Sequence, residues 1–238
     1  MIGLGTAINI GLIIAGSLCG LAFGRFMKEN LKQTLMMVSG IIVLLLGMSG
    51  AMQYMLVIVN GTLQTTGPML MIISMVTGAV IGELIDLNRW ITVFGDWVKA
   101  KTGNTGDPQF THAFITASLT FTVGAMGVLG SIQDGLTGNY QTLLLKGILD
   151  GIIVMVMVSS MGKGALFSFI PVGITQWIIT AMAHIAAPLM TPSAIDNLSY
   201  VGSILIFCVG IDLIWPGKIR IANLLPAIFV AMGLTFLL

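Results

Sequence analysis

Runs of about twenty apolar residues, parted only by short polar segments, constrain this chain more than any other feature. A helix of that length crosses the hydrocarbon of a bilayer. Spans are expected at 4–24, 34–54, 68–87, 110–131, 142–161, 165–187, 198–215 and 221–238. The runs are long and do not alternate, which excludes a transmembrane β-barrel. Composition agrees: 8% of residues are charged and mean hydropathy is +1.03, whereas about a quarter of a soluble domain is charged. The expected fold is an all-α polytopic membrane protein of about eight transmembrane helices, or seven, in a single integral membrane domain over residues 1–238.

The charges choose an orientation. Arg25, Lys28 and Lys32 fall in the first loop, Arg89, Lys99 and Lys101 in the third, Lys163 in the fifth, and Lys218 and Arg220 in the seventh. Only Lys146 breaks the pattern. By the positive-inside rule the odd loops are cytoplasmic and both termini lie outside. Dropping or adding one span would scatter these cations over both sides, so eight fits best. No basic region precedes the first run, which reads as a retained span rather than a cleaved signal peptide. A formal net charge of +1 argues against a nucleic-acid partner. Cys19 and Cys208 lie inside spans and are expected to be inert thiols.

Asn88–Asp107 is the one extended polar stretch. Trp90, Phe94 and Trp97 recur at helical spacing with Asp96 and Lys99 offset from them. An interfacial amphipathic helix is expected at 88–101, with its aromatics at headgroup depth. The segment from Val38 to Gly47 also aligns with that from Val201 to Gly210 at a constant offset, and each is followed by a Pro-initiated span, at Pro68 and Pro226. Five spans separate the copies, so they would cross in opposite directions. Repeat halves 1–87 and 165–238 would then flank 110–161, an inverted repeat of the kind transporters use.

The run from Ser118 to Gly135, Leu145-Lys-Gly-Ile-Leu-Asp-Gly151, Met161-Gly-Lys-Gly164 and Ala222-Asn-Leu-Leu-Pro226 together resemble the YqgA-type bacterial inner-membrane proteins, a domain-of-unknown-function family. The resemblance covers essentially the whole chain. It implies a multi-pass protein of the bacterial cytoplasmic membrane and, for Escherichia-type members, a loose association with biofilm behaviour. It supplies a location and no mechanism. Family members often carry Gly-Pro where this chain has Gly124-Ala125, so a proline-fixed kink is not expected there.

Asp150 leads the residues that can carry chemistry. It falls near the middle of the fifth span, where an ionised carboxylate costs several kcal/mol unless it pairs, protonates or meets water. Lys146 lies four residues earlier on the same helical face, so the two can pair; a structural salt bridge is the competing reading. Gly124, Gly127 and Gly130 recur every third residue, which allows close helix approach or unwound backbone. Carbonyls exposed there, with the hydroxyls of Thr120, Thr122 and Ser131, would suit a cation or a small polar solute. Gln133 and Asp134 follow at the external end as further candidates for binding the solute or ion, with a tight Gln-Asp-Gly turn as the competing reading. Asn223 and Pro226 open the last span as cap and first-turn residue, and Asn223 touches substrate if that helix starts below the surface. Gln176 needs a buried partner, while Asp212 reads as a solvated helix end.

Enzyme chemistry finds no support: His-Glu-x-x-His, Cys-x-x-Cys and Gly-x-Ser-x-Gly are all missing, so no catalytic residue, metal site or cofactor is expected. Thr122-Val-Gly124 matches a potassium-channel filter over only three residues and lacks a pore helix. The favoured function is transport of a small solute or ion, with H+ or Na+ as coupling ion. The alternatives are a passive channel or pore, and a non-transporting membrane partner or sensor acting through the helix at 90–101. Small-residue faces at Gly16, Gly20 and Gly24 and at Gly78 and Gly82 pack helices, and are compatible with a homo-oligomer without requiring one.

Overall fold

A bilayer-length segment satisfies all of its backbone groups internally only as a helix, and the apolar runs fold accordingly. The computed structural model of the chain describes residues 1–24 and 26–236, apart from the side chains of Glu29, Ala125 and Ala186. The elements are α1 (Leu4–Gly24), α2 (Glu29–Met55), β1 (Leu56–Val59), β2 (Thr62–Thr65), α3 (Pro68–Ile85), α4 (Leu87–Lys101), α5 (Phe110–Thr122) and α6 (Ala125–Thr137). Then come α7 (Gln141–Met161), a 3-10 turn (Lys163–Ser168), α8 (Phe169–Ala181), α9 (Ala183–Ala186), a further 3-10 turn (Ala187–Leu189), α10 (Pro192–Ile214), a last 3-10 turn (Ile221–Leu224) and α11 (Pro226–Leu234). Six helices among the described residues are long and apolar enough to cross a membrane. The bent pair α5–α6 makes a seventh when taken as one span.

Small residues decide which helices touch. A Cβ added at Gly16 or Gly20 would overlap the backbone of Gly151 or Met155, and Gly24 lies on Ser159, so α1 runs parallel to α7. Gly40 meets Leu213, Gly47 meets Phe207 and Gly50 meets Ser203, so α2 runs antiparallel to α10. Gly78 and Gly82 seat α3 against Ala227 and Asn223, antiparallel to α11 and the turn before it. The 3-10 turn and α8 run beside α5 and α6 in the same direction, from the Gly164–Phe110 contact to that of Gly135 with Thr180.

This packing gathers the basic loops at one end of the bundle. Lys28, Lys32 and Lys163, the cations of α4, and Lys218 and Arg220 all belong to that end, where Arg220 pairs with Glu83 at 3.2 Å. Arg25, expected there too, lies outside the described residues. The other end carries the β1–β2 hairpin and the starts of α1, α7 and α10. At the basic end α4 is amphipathic: Val98 is buried and Phe94 packs on Phe114 at 5.8 Å, while Trp90 and Trp97 are exposed. Asp86 caps the helix by accepting from the Arg89 N–H at 3.4 Å.

Several boundaries differ from the sequence expectation. The β1–β2 hairpin was not expected, although Asn60-Gly61 between β-branched residues is a two-residue turn signal; both residues take positive φ, at 51° and 77°. The seventh expected span begins six residues early, because Pro192 opens α10 and the Thr191 side chain accepts from the Ala194 N–H at 3.2 Å. The sixth ends its continuous helix at Ala181. The eighth, expected over 221–238, is a shorter apolar helical segment, Ile221–Leu234, and residues 237 and 238 lie outside the described residues. The described residues thus hold six full-length spans, a seventh in the bent pair and a shorter apolar segment where the eighth was expected.

Candidate functional site

The site begins with a break in a helix. α5 ends at Thr122, Val123 is extended, and Gly124 adopts φ +147° and ψ +147° before α6 begins. Only glycine enters that region without strain, so the chain bends by 60° with no proline. The break frees the last carbonyls of α5 and the first N–H groups of α6 from helical partners. Irregular backbone at such depth is tolerated where it is buried in protein or borders a cavity.

A cavity of about 320 Å³ lies beside this break, between α2, α5–α6, α7 and α10. Lys146 and Asp150 of α7 reach its wall, each only 6% exposed. The Lys146 ammonium donates to Oδ2 of Asp150, an i, i+4 ion pair at the middle of α7. Gly127, in the first turn of α6, makes room for it: a Cβ there would sit 3.3 Å from Cε of Lys146. The amide of Gln176 approaches the same point to 3.9 Å from α8. Across α7, Asn9 of α1 is 0% exposed and packs against Gly147. Its amide faces the Asp150 carboxylate beyond hydrogen-bond geometry. Neither polar atom of Asn9 or of Gln176 has a hydrogen-bond partner among the described residues. Lys146 and Gln176 thus meet at the start of α6, with Asp150 beside Lys146 and Asn9 behind on α1.

The cavity is built asymmetrically. Towards the hairpin end, Gln53 and Tyr54 also border a second chamber of about 390 Å³ holding Asp196 and Tyr200. Towards the basic end lies a packed apolar layer containing Val43, Phe121, Val209 and Leu213.

The other expected site residues fall in different places. Thr120 and Gly124 line the cavity. Thr122 borders a small void beside Gln176, and its hydroxyl has no hydrogen-bond partner among the described residues. Gly130 packs on Leu143. Ser131, Gln133 and Asp134 do not line the cavity: they tie α6 to its neighbours. Ser131 Oγ donates to the Gly127 carbonyl at 2.7 Å, and its own carbonyl accepts from Thr180 Oγ1 at 3.1 Å. Gln133 Oε1 accepts from Thr142 Oγ1 at 2.7 Å.

Asp134 corrects the expected Gln-Asp-Gly turn. It sits within α6, fully buried, and Oδ2 accepts from the Gly5 N–H at 3.1 Å. Helix continues through it because this backbone is buried, and Oδ2 is matched by the positive end of α1, while Oδ1 has no hydrogen-bond partner among the described residues. Asn223 also departs from expectation. It lies in the 3-10 turn at the basic end, buried, and its Oδ1 accepts from the Asn88 N–H at 2.6 Å, so it caps α4 rather than its own helix.

Sequence reasoning missed one pair. Asp212 is buried, not solvated; its Oδ1 accepts from the Gly217 N–H at 2.8 Å and its Oδ2 lies 3.3 Å from Nε2 of His112. The pair borders a cavity of about 380 Å³ at the basic end. The signal was available, since His112, Thr116 and Thr120 recur every fourth residue along one face of α5.

The chain matches one family model, "Protein of unknown function (DUF554)", over residues 4–236. It is 27% identical over 235 residues to "Uncharacterized membrane protein YdfK" of Bacillus subtilis (strain 168), covering 98% of this chain and 96% of that one. It is 24% identical over 240 residues to "Uncharacterized protein YqgA" of Escherichia coli (strain K12), again covering 98% and 96%. No solved structure matches it.

Proposed function

We propose, for a chain that belongs to the DUF554 family of proteins of unknown function, that this membrane protein carries a small solute across the bacterial cytoplasmic membrane, with Asp150 as the proton-binding group. One observation carries the reading: the buried Lys146–Asp150 pair opens onto a cavity beside a broken helix. A structural salt bridge needs no cavity. Charge that faces a chamber at membrane depth marks a solute or ion path, and discontinuous helices mark binding sites in carriers. A proton suits Asp150 better than Na+, because Na+ would have to displace the Lys146 ammonium from the same carboxylate.

With the basic loops cytoplasmic, as the positive-inside rule has it, both termini and the hairpin are external and the cavity is reached from outside. The crossing of α2 and α10 supports the inverted repeat. Gly47 lies on Phe207 and Gly210 on Leu44, two contacts that exchange when the aligned segments are superposed. Under the same alignment Ser203, which lines the cavity, corresponds to Gly40, packed on Leu213 at the closed end. Opening the cytoplasmic side would thus part Gly40 from Leu213. The apolar layer between the ends favours such a carrier over a continuous pore.

The test is the isosteric substitution Asp150→Asn in purified, reconstituted protein. The reading requires proton-driven accumulation to vanish in protein that still folds and inserts; accumulation at the wild-type rate would remove Asp150 from the mechanism.

A further inference from the structure

We infer that the solute is a small monocarboxylate with an apolar body, moved together with one proton; this rests on the carrier reading above. The argument is one of net charge. Lys146 and Asp150 are the charged residues lining the cavity, and as a pair they sum to zero. A proton alone on Asp150 leaves Lys146 uncompensated, and an anion alone leaves a net negative site. Either state is costly away from water. A proton and an anion together restore neutrality, so the empty and doubly loaded forms are the two that interconvert readily. A cationic solute would meet Lys146 at every step, and an uncharged solute needs no ion pair at all.

The surroundings fit both charges. Protonation of Asp150 releases the Lys146 ammonium, which Gly127 leaves unobstructed beside the first turn of α6. The free N–H groups of that turn favour a carboxylate. The neutral Asp150 carboxyl then needs an acceptor for its proton. Asn9, fully buried, faces it with an amide neither of whose polar atoms has a partner among the described residues, and a turn of that amide brings its carbonyl oxygen to the carboxyl. The remaining wall is largely apolar, including Leu46, Met126, Leu149, Ile153 and Ile206. It suits an aliphatic body and disfavours sugars and dicarboxylates. About 320 Å³ lies at the small end of ligand pockets.

The experiment uses the full chain in liposomes with a pH-reporting dye inside. The probes are pyruvate and 4-methyl-2-oxopentanoate, whose strong acidity limits passive leakage, against isoamylamine and Na+. We expect saturable oxo-acid uptake with one proton per anion, insensitive to membrane potential, and at least tenfold slower in Lys146→Gln. Binding to detergent-solubilised protein gives a second readout. Wild-type affinity should fall up to tenfold per pH unit on the alkaline side, whereas Asp150→Asn, which mimics the protonated carboxyl, should bind the oxo acid independently of pH. It should exchange bound anion but not accumulate it. If the amine moves through the cavity in exchange for protons and the acids do not, the carrier reading stands and the monocarboxylate inference is overturned; if Na+ alone moves, both are overturned. If neither class binds or moves, both are overturned.

Discussion

Asp134 and Asp150 are both buried carboxylates, on consecutive helices of one bundle, yet their surroundings assign them opposite work. Asp134 is enclosed by packing and accepts from the first turn of α1, through the Gly5 N–H. Asp150 is held by one flexible lysine, faces a fully buried amide with no hydrogen-bond partner among the described residues, and borders a cavity. Burial of charge is common to both and therefore identifies neither. What separates them is whether the compensating group is fixed backbone or a side chain able to move away. A carboxylate on a helix N-terminus has nowhere to deliver a proton; one paired with lysine at a cavity wall has a route and a reason.

Exchanging the two behaviours by mutation is the way to break this comparison. The largest effect belongs to Asp150→Asn: net transport should drop by at least a hundredfold, and the melting temperature should fall because Lys146 loses its counter-ion, recovering when the oxo acid is added. Asp134→Ala should instead spare transport. It removes a charge-assisted hydrogen bond, costing about 2–3 kcal/mol of stability, visible as a lower melting temperature, while transport per folded molecule stays within about twofold. If Asp134→Ala silenced transport without lowering stability, the assignment of Asp134 as a cap would be wrong.

Smaller effects sharpen the helix break that only Asp150 adjoins. Gly124→Ala forces a side chain into φ +147° at a cost of about 1–3 kcal/mol, and should slow transport more than it lowers stability. Ala125→Pro, at the first position of α6, should be tolerated in both assays. Smallest of all is Asn223→Ala, far from the cavity. Losing its bond to the Asn88 N–H should cost about 1 kcal/mol and leave transport unchanged, which thermal melting and flux on one preparation would check.

Much of this arrangement could be read from the residues. The first span, the amphipathic helix Leu87–Lys101 and the i, i+4 approach of Lys146 to Asp150 follow from local periodicity and charge, which do not depend on tertiary partners. What stayed hidden depends on distant segments. Asn9 and Gln176 converge with α7 from α1 and α8, and no spacing along the chain announces that. The cavity is a relation among four segments. Asp134 was misread because Asp-Gly is a turn pair in water, whereas here buried backbone keeps the helix going and α1 supplies the donor. Asp212 was misread for a related reason: its partners, His112 and Gly217, lie in a different helix and in the following turn.

The central claim is that the Lys146–Asp150 pair borders a space open to the external solution. Ser203 lines that space and offers the most direct test. In a chain with Cys19 and Cys208 replaced by alanine, Ser203→Cys should react with a membrane-impermeant maleimide applied from outside, and more slowly when 4-methyl-2-oxopentanoate is present. Thr62→Cys, on the exposed hairpin, serves as the positive control. A Ser203→Cys protein inert to reagent from both faces, alongside a reactive Thr62→Cys, would contradict the account.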